Sequence, residues 1–303
     1  MKLVIIVAFL VAYIPPALSA QWVYEDGETM PAAGPLQIGP RFITNWSLRL
    51  TPTPATVRLG NMALHAGVAA LVSTLTPLWP VVLLHAMAVE TVMYASGRAE
   101  LISALGIVLT CIGVVKWGVV AIIPGMALAL GGKESGAIVL ILAIVAMWHF
   151  RAYRIWLVTL CAGLIALGIY SHGMTIINAD VTAGWTSNVF WYEWAPAQGG
   201  AISYWLASIM WPSLLTPDAD IDRLSAAARC LGLITVATSG VAAWTYRSFG
   251  LAWFAVSLVP RLIVQTPGGY LNAHQFYVPF IGLTIAAGEI WTKVRERYEY
   301  AVR

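Results

Sequence analysis

The stretch LHAMAVETVMYASGRAEL, residues 84–101, sets His85, Glu90, Arg98 and Glu100 in otherwise apolar surroundings. An ionisable side chain at the centre of a bilayer costs about 2.5–3.5 kcal/mol on insertion scales. Such groups therefore face a bundle interior or a water-filled path, and several together point to an internal polar site. On one continuous helix Glu90 and Arg98 would fall roughly 80° apart around the axis and share a face. Ser96-Gly97 reads as a helix end, which would set Arg98 and Glu100 at the outer surface. The alternative for the same residues is a Glu90 satisfied by a neighbouring helix and an Arg98 that snorkels to the interface.

Three further clusters carry chemistry. In GGKESG, residues 131–136, Lys133 and Glu134 lie between apolar runs, with glycines that let a backbone approach a ligand closely; a charged loop is the alternative. In VPRLIVQTPGGYLNAHQFYVPF, residues 259–280, Arg261, His274 and Tyr277 bracket a glycine-proline turn at the membrane surface. In WVYEDGETM, residues 22–30, Glu25 and Asp26 follow the first apolar run. A carboxylate there is placed to take a proton from an acceptor hydroxyl, or it is an exposed loop charge. Glu90, Glu100 and Glu134 either hold the neighbouring cations in place or bind a divalent metal, and three carboxylates do not by themselves require one. The aspartates of TPDADID, 216–222, read as a solvated connector.

The elements that position these groups follow from composition. Of 303 residues, 59% are hydrophobic and only 10% charged, against about 25% charged in soluble domains, and the mean hydropathy is +0.77. The fold class expected is all-α: one polytopic membrane helix bundle over 1–303, with about 10–12 spans. Apolar runs fall at 3–19, 58–76, 78–95, 100–115, 117–131, 135–149, 153–171, 200–215, 226–244, 248–264 and 276–291. Residues 1–20 fit a retained first helix, favoured here, or a cleaved signal segment. Residues 21–57 form an outward-facing loop, 172–199 an aromatic interfacial loop, and 292–303 a basic tail. Lys2 and the loop HFRAYR, 149–154, belong on the inner side by the positive-inside rule. The tail, also basic, conflicts with an odd count of spans. A net charge of +3 spread along the chain gives no support for a nucleic-acid partner. Cys111, Cys161 and Cys230 lie apart in apolar runs and lack metal-ligand spacing.

Several stretches together resemble the membrane core of GT-C-type glycosyltransferases. They are PRFITNWSLRL (40–50), GNMALHAGVAALVSTL (60–75), LLHAMAVETVMYASGRAELISAL (83–105), GKESGAIVLIL (132–142), YWLASIMWPSLL (204–215) and LAWFAVSLVPRLIVQTPGGYLNAHQFYVPFIG (251–282). The branch most resembled is that of protein O-mannosyltransferase-like enzymes, which often carry tetratricopeptide repeats. The most specific match is the order of His85, Glu90, Ser96, Gly97, Arg98 and Glu100, followed by Lys133-Glu134. The family tends to show Glu-Arg before its Tyr-x-Pro, whereas Ala273-His274-Gln275 stands here before Phe276-Tyr277-Val278-Pro279.

The resemblance implies an inverting transfer of a sugar, mannose being one choice, from a polyprenyl-phosphate carrier to a hydroxyl acceptor on the outer face. Asp26, with Glu25 as the alternative, would activate the acceptor. Arg98 and Lys133, with His274 or Arg261, would meet the donor phosphate. His85, Glu90, Glu100, Glu134 and Tyr277 would support them. Membrane lipids and the lipid-linked donor are the implied partners. A transporter or flippase of lipid-linked substrates, or an inactive scaffold of the same fold, would carry similar internal charges.

Overall fold

The computed structural model describes residues 2–19, 41–152, 163, 191–215, 224–263 and 273–302, and among them every regular element is helical. The twelve α-helices are α1 (Lys2–Leu18), α2 (Phe42–Arg49), α3 (Pro54–Val72), α4 (Trp79–Leu84), α5 (Met87–Met93), α6 (Gly97–Ile112), α7 (Val119–Gly132), α8 (Ile138–Phe150), α9 (Trp191–Met210), α10 (Ala226–Tyr246), α11 (Phe249–Ile263) and α12 (Ala273–Val302). The apolar run expected at 153–171 lies outside the described residues except for Gly163, as do the expected loop residues 21–40 and 172–190. Residues 191–199, read from the sequence as interfacial loop, open α9 instead.

Local chemistry sets the helix ends. Thr53 caps α3 in a reciprocal box with Thr56, and Pro54 takes the first helical position, where its missing N–H costs nothing. Ser225 caps α10 by accepting from the Ala228 N–H at 3.2 Å. A π turn, Gly113–Trp117, ends α6, and Gly118 with φ 65° reverses the chain into α7.

The longest continuous apolar elements pack on a central antiparallel pair, α6 and α7. Their seam is made of small residues: a Cβ on Gly106 would lie 2.4 Å from the Gly125 carbonyl oxygen, and one on Gly125 2.7 Å from the Thr110 nitrogen. The backbones can approach this closely only because no side chain stands between them, the packing that apolar helices use when water does not drive them together. α3 and α8 flank the pair, α11 and α12 form a second antiparallel pair, and α9 with α10 a third. One apolar core runs through α1, α3, α6, α7, α8 and α12, and a second joins α9, α11 and α12.

Among the described residues three helical stretches are long and apolar enough to cross a membrane: Pro54–Val72, Gly97–Trp117 and Ala226–Tyr246. They differ in burial. Of the apolar window in the second, 78% is buried, against 17% for the third. α10 therefore turns Leu231, Ile234, Val241 and Trp244 outward, an apolar surface that water does not favour.

Two sequence expectations are corrected. The run 78–95 is not one helix: it breaks at His85, whose backbone is extended (φ −72°, ψ 137°) between α4 and α5. Nor does Gly97 end a helix. Ser96-Gly97 starts α6, so Glu90 and Arg98 lie on different helices, and Arg98 and Glu100 are buried rather than at the surface. The tight return between α5 and α6 explains why: a Cβ on Gly97 would lie 2.0 Å from the Thr91 carbonyl oxygen.

Candidate functional site

Contacts along the helices put the bundle's charges in two layers. α6 runs from Arg98 to the turn holding Lys116, α8 leads away from the Lys133 loop toward His149, and α12 runs from His274 to Glu289. At 1.5 Å per residue these legs measure about 20–27 Å. Arg58, Glu90, Arg98, Glu100, Lys133 and His274 lie at one end, and Lys116, His149, Arg151, Arg247, Glu289 and Lys293 at the other.

The first layer contains three arrangements. In one, the Arg98 guanidinium is enclosed by the chain. Its Nε donates to Asn61 Oδ1 at 2.7 Å, Nη1 to Thr51 Oγ1 at 2.7 Å and to the Ser47 carbonyl at 3.1 Å, and Nη2 to the Val57 carbonyl at 2.5 Å. All four acceptors are formally neutral. Asn61 is held in turn by donating to the carbonyls of Val92 and Tyr94 at 3.1 and 2.8 Å, and Arg58 Nε donates to the Met93 carbonyl at 2.7 Å. Arg98 thus ties α2, α3 and the α5–α6 turn together.

In the second, Lys133 Nζ donates to Glu100 Oε1, a contact between two buried groups. Lys133 reaches it because α7 ends at Gly132, and a 3-10 turn starting at Glu134 leads into α8. Thr44 Oγ1 on α2 donates to the Gly132 carbonyl at 2.7 Å and fixes that corner.

In the third, Glu90 Oε1 on α5 lies 2.9 Å from His274 Nδ1 on α12. The Glu90 side chain is 25% exposed and that of His274 is 11%, so the pair opens toward the outside of the bundle. With Nδ1 held by the carboxylate, the imidazole presents Nε2. Such an imidazole can accept a proton from a hydroxyl or, when protonated, donate to an anion.

The remaining residues singled out from the sequence have other surroundings. His85 Nδ1 accepts from the Met87 N–H at 3.1 Å, so its proton is on Nε2, which donates to the Ile209 carbonyl at 3.0 Å. The side chain thereby caps the helix break and ties it to α9. Tyr277 is fully buried and its hydroxyl lies 2.7 Å from His65 Nδ1, while His65 Nε2 lies 3.1 Å from the Leu83 carbonyl. Glu25 and Asp26 lie outside the described residues, and for Arg261 and Glu134 only the backbone positions, in α11 and the 3-10 turn, are described. Among the described residues no three His, Cys, Asp or Glu side chains gather as a metal site.

Sequence reading passed over Arg58, Asn61 and His65. Their spacings of three and four put them on one face of α3, a polar stripe within an apolar helix that is legible once sought. It also passed over Glu289, which caps α11: its carboxylate accepts from Ser248 Oγ at 2.5 Å and from the N–H groups of Phe249 and Gly250 at 3.0 and 3.2 Å.

No family model matches the chain, and no curated protein or solved structure matches it.

Proposed function

We propose that the chain is a polytopic membrane glycosyltransferase that moves a sugar from a polyprenyl-phosphate carrier to a hydroxyl acceptor at the face holding the Glu90–His274 pair. The membrane part of this reading is supported by charge-free stretches of about 22–24 Å within these legs, approaching the roughly 30 Å hydrocarbon core, and by the outward apolar face of α10.

The observation that carries the transfer reading is that the half-open Glu90–His274 pair and the buried Lys133–Glu100 pair lie at the same end of the bundle. Lys133 and His274 are the cations that would offset charge on the leaving phosphate. Glu100 and Glu90 hold them in place. Asp26, with Glu25 as its alternative, would take the acceptor proton. Arg98, with four of its donor contacts already made to chain oxygens, acts here as a positioning residue rather than as a phosphate ligand. Its engagement also favours the second reading, an inactive scaffold of the same fold, should transfer prove absent.

The test is mass spectrometry of membrane and exported proteins from cells with and without the chain, and from cells carrying His274→Gln or Asp26→Asn. Loss of a hexose from specific acceptors in the deletion and in both variants, with normal membrane levels of each variant, is expected. Identical acceptor masses with and without the chain would exclude transfer to protein. Unchanged transfer in both variants would remove these residues from the chemistry.

A further inference from the structure

The second charged layer holds a cavity of about 380 Å³ lined by Trp148, His149, Arg151 and Arg247, a size typical of small-ligand sites. Arg151 ends α8 and Arg247 ends α10, and both have left-handed backbones, with φ 54° and 49°. The chain closes each end with a bond back into the last turn, Ala152 N–H to the Met147 carbonyl at 3.0 Å and Ser248 N–H to the Ala243 carbonyl at 3.1 Å. Glycine or asparagine normally occupies such a position, because a Cβ is disfavoured there. A cation offsets the partial negative charge of a helix end, but it can do so from the last helical turn without the backbone penalty. Arg41 shares a positive φ, of 66°; what sets Arg151 and Arg247 apart is that both line one cavity.

Neither Arg151 nor Arg247 has a carboxylate within ion-pair distance among the described residues. Among the described residues the charged groups nearest His149 are Glu289, Arg247 and Lys293. Glu289, held by Ser248, Phe249 and Gly250, sets one negative charge against Arg151, Arg247 and Lys293, so the described groups around the cavity carry a surplus of positive charge. Beside it Trp148 stacks on Trp244 with centroids 5.1 Å apart and planes 6° from parallel. Trp244 and Tyr246 are 72% and 69% exposed. Exposed aromatic rings at a helix end are the side chains that favour the headgroup level of a bilayer.

We infer that Arg151, Arg247 and His149 form a binding site for a phosphate-bearing anion at the end of the bundle opposite the Glu90–His274 pair. Two guanidinium forks suit phosphate oxygens through paired charge-assisted hydrogen bonds. The flanking aromatic rings favour a phospholipid headgroup as the source over a soluble phosphate. The site does not depend on the transferase reading.

The full chain in neutral detergent tests it, with phosphatidylglycerol, phosphatidylcholine and inorganic phosphate added in separate arms. The readouts are melting midpoint and, by native mass spectrometry, bound lipid. The midpoint is expected to rise with phosphatidylglycerol and not with phosphatidylcholine. Arg151→Gly/Arg247→Gly should abolish that rise, while its own ligand-free midpoint stays level or increases, because glycine fits φ > 0. Arg151→Asn/Arg247→Asn serves as a second charge-free pair that tolerates the same backbone. A rise with inorganic phosphate that the variants lose supports the site with a soluble ligand. No rise with either anion, or an equal rise in the variants, overturns it.

Discussion

Arg98 illustrates how a residue type read as a ligand for substrate can be a structural tie. Truncation to alanine would take the guanidinium away from Asn61 Oδ1, Thr51 Oγ1 and the carbonyls of Ser47 and Val57, of which the Ser47 carbonyl still accepts from Thr51 Oγ1 at 3.1 Å. A buried polar group left unsatisfied costs about 1–3 kcal/mol. Arg98→Ala is therefore expected to lower stability by about 3 kcal/mol or more, seen as a clear drop in the melting midpoint of the detergent-solubilised chain. Arg98→Lys should recover only part of it, since an ammonium lacks the planar fork that reaches several oxygens at once. A melting midpoint unmoved by either change would show that these bonds contribute little. The sequence made the importance of Arg98 legible, because a lone arginine among apolar residues must be compensated. It did not show by what: the compensating oxygens include two backbone carbonyls and Asn61, and carbonyl groups have no sequence signature.

At the scale of elements, hydropathy located most helices. The runs expected at 226–244 and 248–264 match α10 and α11 within a few residues. Where it failed, a side chain had replaced a backbone partner. The break at His85 is held by the imidazole itself, and nothing in the apolar pattern of 78–95 distinguishes that from a continuous helix. α12 runs beyond the expected 291 to Val302, with Arg295 Nε donating to Glu299 Oε1 at 2.7 Å across one helical turn. Glu289 connects two elements: from the middle of α12 it satisfies the first N–H groups of α11, where a negative charge also suits the helix dipole. Glu289→Gln keeps the shape but loses the charge, and is expected to cost about 1 kcal/mol, with Glu289→Ala nearer 2 kcal/mol. Thermal melting in detergent measures both. Equal midpoints for all three proteins would mean that α11 starts unaided.

For the whole molecule, the sequence left a conflict on which the fold bears. The loop HFRAYR and the basic tail looked incompatible with an odd number of spans. In the structure the His149 ring, at the end of α8, lies 5.7 Å from the Phe249 ring, and the Phe249 N–H donates to Glu289 on α12 at 3.0 Å, so the end of α8 and the stretch of α12 just before the basic tail lie at the same end of the bundle. Both basic clusters can then face the cytoplasmic side together, as the positive-inside rule favours. On the proposed membrane reading the Arg98, Lys133 and His274 layer faces the other way, because α6, α8 and α12 each run from that layer to this one. Single cysteines in a cysteine-free background read this out in intact cells with a membrane-impermeant maleimide. Ala152→Cys and Tyr300→Cys are expected to label only after the membrane is opened, and Thr53→Cys, at the exposed cap of α3, to label from outside. Labelling of positions 152 and 300 from opposite sides would contradict the arrangement of α8 against α12. Labelling of 53 and 152 from the same side would remove the separation on which the proposed outward-facing transfer site and the inferred inner anion site both depend.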